Sequence, residues 1–227
     1  MGESGSTAAA VSVEGLGLRG PRGWVYRGVD LVAEPGTLTV VGGAAGSGRT
    51  SLLLTLSGRM KPGEGSATVA GLRLPRQAAR VRRIAALGPV PGVNDLEGAL
   101  TVAEHLQERR LLHLGRNVPR RSTDQVLALA ALPVEELPRG LRTPVRDLAP
   151  SAALRLSTAL ALLGRPRLLC VDDIDVRLPA EDSEAVWAML RGVADDGTTV
   201  LAAATEAPAT AGLADTLLRL ESTDAHA

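Results

Sequence analysis

The chain has 227 residues, with 25 basic side chains balanced by 25 acidic ones. That length suits one large domain, or a domain carrying a sub-domain. The even charge leaves neither a basic field to attract nucleic acid nor an acidic excess that would keep the chain unfolded.

Residues 1–9 are small and polar and read as a disordered tail, with the domain expected over 10–221 and a second tail over 222–227. A strand is expected over Ala10–Leu18, followed by a turn at Gly20–Gly23 and a second strand ending near Val32. Trp24 and Tyr26 alternate in that second strand and either pack in the sheet or lie beside a bound base, core packing being the default.

Glu34-Pro35-Gly36 makes a turn, Leu38–Val41 a short apolar strand, and Ser51–Leu56 a helix. Between strand and helix lies GAAGSGRT, which fits G-x-x-x-x-G-[basic]-[ST]. Small residues there let successive backbone N–H groups converge on phosphate oxygens at a helix N-terminus. Gly43, Ala44, Ala45, Gly46, Ser47, Gly48, Arg49, Thr50 and Ser51 are therefore the candidate nucleotide-binding residues, with the Thr50 hydroxyl placed to hold magnesium. Arg49 departs from the usual lysine: the charge is kept, but a planar fork replaces a compact ammonium.

Pro62–Gly65 reads as a loop and Ala67–Leu74 as a hairpin arm bent at Gly71, so an antiparallel sheet is expected beside the nucleotide core. Gln77–Arg83 is basic and helical in pattern, its arginines expected on a solvated face, and Ile84–Leu87 is a candidate core strand. Gly88–Gly98 turns to Pro, Gly and Asn, the composition of an exposed connection. Thr101 with Glu104 and Ser122 with Gln125 offer capping boxes, and Pro133, Pro138 and Pro144 break the following stretch into short pieces. Residues 88–150 thus read as a helical sub-domain inserted into one sheet.

An Ala/Leu-rich helix is expected from Pro150 to Leu163, ended by Gly164 and Pro166. The strand Arg167–Val171 follows, and its carboxyl end carries Asp172 and Asp173. Ligands collect at that end of strands in open parallel sheets, where an acid can hold magnesium through water. Cys170, in the same apolar run, is expected as a core residue of a protein from a reducing compartment. A helix over Glu181–Val193, a buried strand over Thr198–Ala204 and a last strand over Thr216–Leu220 complete the chain. His105, His113 and His226 lack metal-ligand spacing and are expected at the surface. No window holds the ~18 to 20 apolar residues of a membrane span.

Three stretches in order, GAAGSGRTS, LTVAEHL (Leu100–Leu106) and ALLGRPRLLCVDD (Ala161–Asp173), resemble the nucleotide-binding subunit of ATP-binding cassette (ABC) transporters. The resemblance implies an α/β P-loop NTPase fold of ABC type, a mixed sheet core with an antiparallel β arm and an inserted helical sub-domain. It implies ATP and Mg2+ as ligands, Asp172 with Thr50 at the metal, and Asp173 at the catalytic position that orients water. It also implies a homodimer, or a heterodimer with another cassette, and an integral membrane transport subunit as a separate chain. Placement would then be cytoplasmic, peripheral at the inner face of the cell membrane through that partner, with nucleic acid not expected.

Several motif positions are altered against the family. LSGGQ aligns with Leu148-Ala149-Pro150-Ser151-Ala152, the glutamine of IxxVPQ with Pro89, the switch histidine of VLLVTHD with Thr205, and the catalytic glutamate with Asp173. These departures imply weak hydrolysis. The alternative is a non-hydrolysing regulatory or structural pseudo-ATPase.

Overall fold

The direction of pairing sorts the strands into two sheets. The computed structural model describes residues 8–112, 121–175, 178–205 and 212–222. In chain order the strands are β1 (Val11–Gly20), β2 (Gly23–Ala33), β3 (Leu38–Gly42), β4 (Glu64–Val69), β5 (Leu72–Leu74), β6 (Ala85–Leu87), β7 (Leu168–Val171), β8 (Thr199–Ala204) and β9 (Thr216–Arg219). One sheet, in the order β2-β1-β4-β5, is antiparallel; the other, in the order β6-β7-β8-β3-β9, is parallel throughout.

The helices are α1 (Arg49–Leu56), α2 (Ala78–Ile84), α3 (Val102–Leu112), α4 (Thr123–Leu129), α5 (Pro150–Leu162) and α6 (Ala180–Asp195). Because β7 (LLCV) and β8 (TVLAAA) are apolar along nearly their whole length, both of their faces must be covered, as parallel sheets require. Leu169, Val171, Val200 and Ala202 face a core shared with α5 and α6, which includes Trp187. Leu168, Cys170, Leu201 and Ala203 face the opposite core, shared with α1 and the antiparallel sheet. Cys170 is fully buried, as its apolar context required.

Both capping boxes form. The Ser122 hydroxyl accepts from the Gln125 amide while the Gln125 side chain accepts from the Ser122 amide, and Thr101 and Glu104 exchange the same pair of bonds ahead of α3. The proline-broken stretch becomes three one-turn 3-10 helices at Val134–Glu136, Gly140–Arg142 and Val145–Asp147. It is tied back to α3 by the bond from the Val102 amide to the Thr143 carbonyl.

The structure departs from the sequence expectations in four local places. Helix α1 starts at Arg49, two residues before the expected Ser51, so the glycine loop runs straight into the helix. Glu64 and Gly65 belong to β4 rather than to a loop, because Glu64 pairs with Gly17 of β1 and its carboxylate meets Arg27 at 3.2 Å. Ile84 ends α2 and the strand begins at Ala85. Of the histidines, His105 is buried rather than at the surface, its Nε2 lying 3.1 Å from the Glu97 carbonyl; His113 and His226 lie outside the described residues, as do residues 1–7 and 223–227 of the expected tails. Arg76, Arg80, Arg82 and Arg83 are exposed, as expected. Tyr26 is core, and Trp24 lies between Arg27 and Arg19, with guanidinium carbons 4.6 and 5.7 Å from its ring centre.

Candidate functional site

Strand order decides which side chains meet. Because β8 runs between β3 and β7, the segments leaving these three strands at their carboxyl ends are neighbours. Residues 43–48 follow β3, Asp172 and Asp173 follow β7, and Thr205 follows β8. Sites far apart in sequence therefore converge at one edge of the sheet, where open α/β folds bind ligands.

The loop itself depends on close backbone approach. Gly48 caps α1 with φ of +89°, and a Cβ there would stand 2.5 Å from the Val25 carbonyl oxygen of β2. A Cβ on Gly43 would stand 2.6 Å from both the Leu220 carbonyl and the Ser47 hydroxyl. The loop closes on itself through the bond from the Ser47 amide to the Ala44 carbonyl at 3.1 Å, and the Leu52 amide makes the first helical bond, to Gly48. The amides of Arg49, Thr50 and Ser51 consequently have no partner inside the helix, and no acidic residue occupies its first turn. An anion fits that end, where dipole and open donors both point.

Behind the loop, α1 is fixed by a buried pair in which the Tyr26 hydroxyl lies 2.8 Å from Thr55 Oγ1. Since Thr55 Oγ1 also donates to the Ser51 carbonyl, it accepts from Tyr26. Sequence reasoning placed Tyr26 in a strand but gave no sign that it anchors the loop's helix.

Asp172 is 2% exposed, and its Oδ2 has no hydrogen-bond partner. Its Oδ1 accepts from the Asp173 amide at 3.0 Å. Burial pushes this carboxyl above its usual range and the adjacent Asp173 adds to the rise, while the neighbouring Thr50 hydroxyl, the Asp173 amide and Arg49 oppose it. A buried carboxylate oxygen without a donor, beside a threonine hydroxyl, is the donor chemistry that suits a hard divalent cation. The Ser47 hydroxyl is a second buried polar group with no partner, in the loop itself. Among the described residues there is no separate cluster of His, Cys, Asp and Glu fit for a metal.

Arg49 is only 7% exposed. Its two terminal nitrogens reach Asp173 Oδ1 and Thr205 Oγ1, each at 3.4 Å. Asp173 holds a left-handed backbone, with φ of +47°, which is uncommon for a residue with a side chain. Of the remaining altered motif positions, Pro89 and Pro150 share a cleft with Asp172 and Asp173, whereas Ala149, Ser151 and Ala152 line a different cavity. Pro89 accepts from the Asp172 amide at 2.8 Å, and the shared cleft measures about 470 Å3. Pro150 is the first residue of α5, and its cap, Ala149, makes no side-chain bond to the helix.

Comparison with known proteins agrees with this geometry. The ABC transporter family model matches residues 26–175. The chain is 35% identical to the cytochrome c biogenesis ATP-binding export protein CcmA of Alkalilimnicola ehrlichii, over 86% of this chain and 80% of that protein. It is 33% identical to an ABC transporter ATP-binding/permease protein of Mycobacterium tuberculosis, over 77% of this chain but 20% of that one. A solved dimeric ATP-binding cassette in a post-hydrolysis state, bound to ADP and Pi, shares the fold with a TM-score of 0.72 at 20% identity, over 92% of this chain and 94% of that one. The chain belongs to the ABC transporter family, as one of its ATP-binding cassettes.

Proposed function

We propose that this chain binds Mg-ATP through residues 43–51, with Thr50 and Asp172 at the metal, and serves as the ATP-binding subunit of a transport system whose membrane-spanning subunit is a separate chain. The observation that carries the reading is the pairing of α1's open amides with two buried, unpartnered oxygens, Ser47 Oγ and Asp172 Oδ2, at one edge of the sheet. Thr50 and Asp172 would hold magnesium, which would supply positive charge to offset that of the phosphates. This chain's residues then bind and orient: the loop amides hold phosphate oxygens, and Thr50 and Asp172 fix the metal. The CcmA relative is an ATP-binding export protein, which supports a transport role.

Hydrolysis is slow in this reading. Asp173 is taken as the carboxylate that would orient water, and in the structure it faces Arg49. Displacing one group of a phosphoryl-transfer site by about an ångström can cost ~100-fold. Thr205 supplies no imidazole, and Pro150 brings no backbone donor to a partner's site. The same observations favour a second reading, a non-hydrolysing regulatory or structural pseudo-ATPase.

Membrane contact is assigned to a partner at the inner face of the membrane, since no helix among the described residues is long and apolar enough to cross one. The docking surface is expected near residues 88–114, of which 113 and 114 lie outside the described residues. There Val93, Asn94 and Arg109 join Arg59, Arg82 and Arg83 around a cavity of about 280 Å3 with no carboxylate in its wall. Burial, together with Arg82 and Arg109, lowers the proton affinity of Arg59. A partner segment bearing carboxylates fits this cavity. A second cassette, identical or different, completes the assembly.

Turnover by the purified chain, alone and then with its membrane subunit, tests the reading. Slow turnover alone is expected. A rate of about 1 per second or faster from the isolated chain, abolished by Asp172→Asn, would rule out weak hydrolysis.

A further inference from the structure

Arg49, Asp173 and Thr205 depart from the family pattern at three separate places in the sequence, and the fold brings Asp173 and Thr205 together onto Arg49. The guanidinium bridges Asp173 Oδ1 and Thr205 Oγ1 at 3.4 Å each, whereas the one ammonium of a lysine cannot hold two such partners in a fixed fork. Both partners are themselves held. The Thr205 amide donates to Asp175 Oδ2 at 2.7 Å, the Ile174 amide to the Ala203 carbonyl at 3.2 Å, and the Asp173 amide to Asp172 Oδ1 at 3.0 Å. The segment leaving β7 is thus stitched to the end of β8 immediately after Asp173, through Ile174 and Asp175. The left-handed backbone of Asp173 is fixed by those bonds.

A loop of this form cradles the first two phosphates with its amides, and its basic side chain reaches towards the second and third. The third phosphate must therefore lie between the loop and the ends of β7 and β8, which is the space that the Arg49 guanidinium spans. A triphosphate either pulls Arg49 off Asp173 and Thr205 or sets its terminal anion beside the Asp173 carboxylate. A diphosphate sets no terminal anion in that space, so Arg49 meets its second phosphate while still held by Asp173 and Thr205.

We propose that Arg49, held by Asp173 and Thr205, makes this site discriminate against the third phosphate, so that a nucleoside diphosphate binds at least as tightly as the triphosphate. Asp173 and Thr205 act here as positioning residues for Arg49. The inference rests on the proposed nucleotide site and names the ligand form that its resting state favours.

The test is calorimetric titration of the intact chain with ADP and with ATP, both with magnesium, repeated for Thr205→Val and Arg49→Lys. Thr205→Val is nearly isosteric and changes no charge, so it reports on the hold rather than on repulsion. The expected ratio Kd(ATP)/Kd(ADP) is one or more in the natural chain. It falls about threefold or more in each variant, the effect of releasing one modest hydrogen bond. Tighter binding of ATP than of ADP by the natural chain, or a ratio that neither variant lowers, overturns the inference while leaving the nucleotide site intact. Failure of both nucleotides to bind overturns the site itself and this inference with it.

Discussion

Gly46 and Gly48 share a left-handed backbone but differ in surroundings, so adding one methyl to each separates conformational strain from collision. Their φ values are +83° and +89°. A Cβ on Gly46 would meet nothing within 4 Å, whereas one on Gly48 would lie 2.5 Å from the Val25 carbonyl oxygen, 3.1 Å from its carbon and 3.2 Å from the Tyr26 ring. Gly46→Ala should cost only the left-handed penalty, about 1–2 kcal/mol. Gly48→Ala adds an overlap with strand backbone that cannot rotate away, worth a further ~1–3 kcal/mol by analogy with overpacked cores. At roughly 2–4 °C per kcal/mol for a chain of this size, Gly46→Ala should lower the melting temperature by about 2–8 °C. Gly48→Ala should lower it by a clearly larger amount, to about 4–20 °C in all. Relief of the overlap moves α1 away from β2, so Gly48→Ala should also weaken nucleotide binding. Differential scanning calorimetry of the two variants provides the comparison. Equal losses of melting temperature would refute the claim that β2 presses on the loop.

Three further outcomes are expected. Tyr26→Phe should cost about 1 kcal/mol, and Thr55→Val more, because it strands the Tyr26 hydroxyl and also frees the Ser51 carbonyl; chemical denaturation giving the reverse order would contradict the assigned donor direction. Because burial raises the folded Asp172 carboxyl, its protonation favours folding below the unfolded value of about pH 4, and that contribution is lost as pH rises through the raised folded value. Asp172→Asn cannot ionise, so its melting temperature should gain on the natural chain's progressively as pH rises above about 4, and a pH-independent difference would count against burial as the cause. Burial pushes the Cys170 thiol up to about 12, so a disulfide reagent should label it only after unfolding.

The apolar core strands and the glycine turn ahead of α1 were legible because each depends on short-range pattern. The apolar runs LLCV and TVLAAA can be only buried strands or buried helix turns, and their length and flanking prolines and glycines decide for strands. Capping boxes at Thr101 and Ser122 depend on residues three apart, and both formed. What the sequence hid was pairing at long range. Nothing local to Thr205 says that its hydroxyl meets Arg49, a contact made only because β8 inserts between β3 and β7. Burial of His105 was hidden for a similar reason, since its acceptor is the Glu97 carbonyl in a connection whose path no periodicity fixes. The start of β4 at Glu64 likewise follows from Gly17 and Arg27 across the sheet.

The central claim is a metal-dependent nucleotide site built from residues 43–51 with Asp172, and its most direct test is titration of the folded chain with ATP in the presence of magnesium and again with the metal chelated. Saturable binding that weakens when magnesium is removed, and that loses its metal dependence in Asp172→Asn, is the result expected from the buried, unpartnered Asp172 Oδ2. No binding by folded protein at millimolar ATP, or binding indifferent to magnesium, would contradict it.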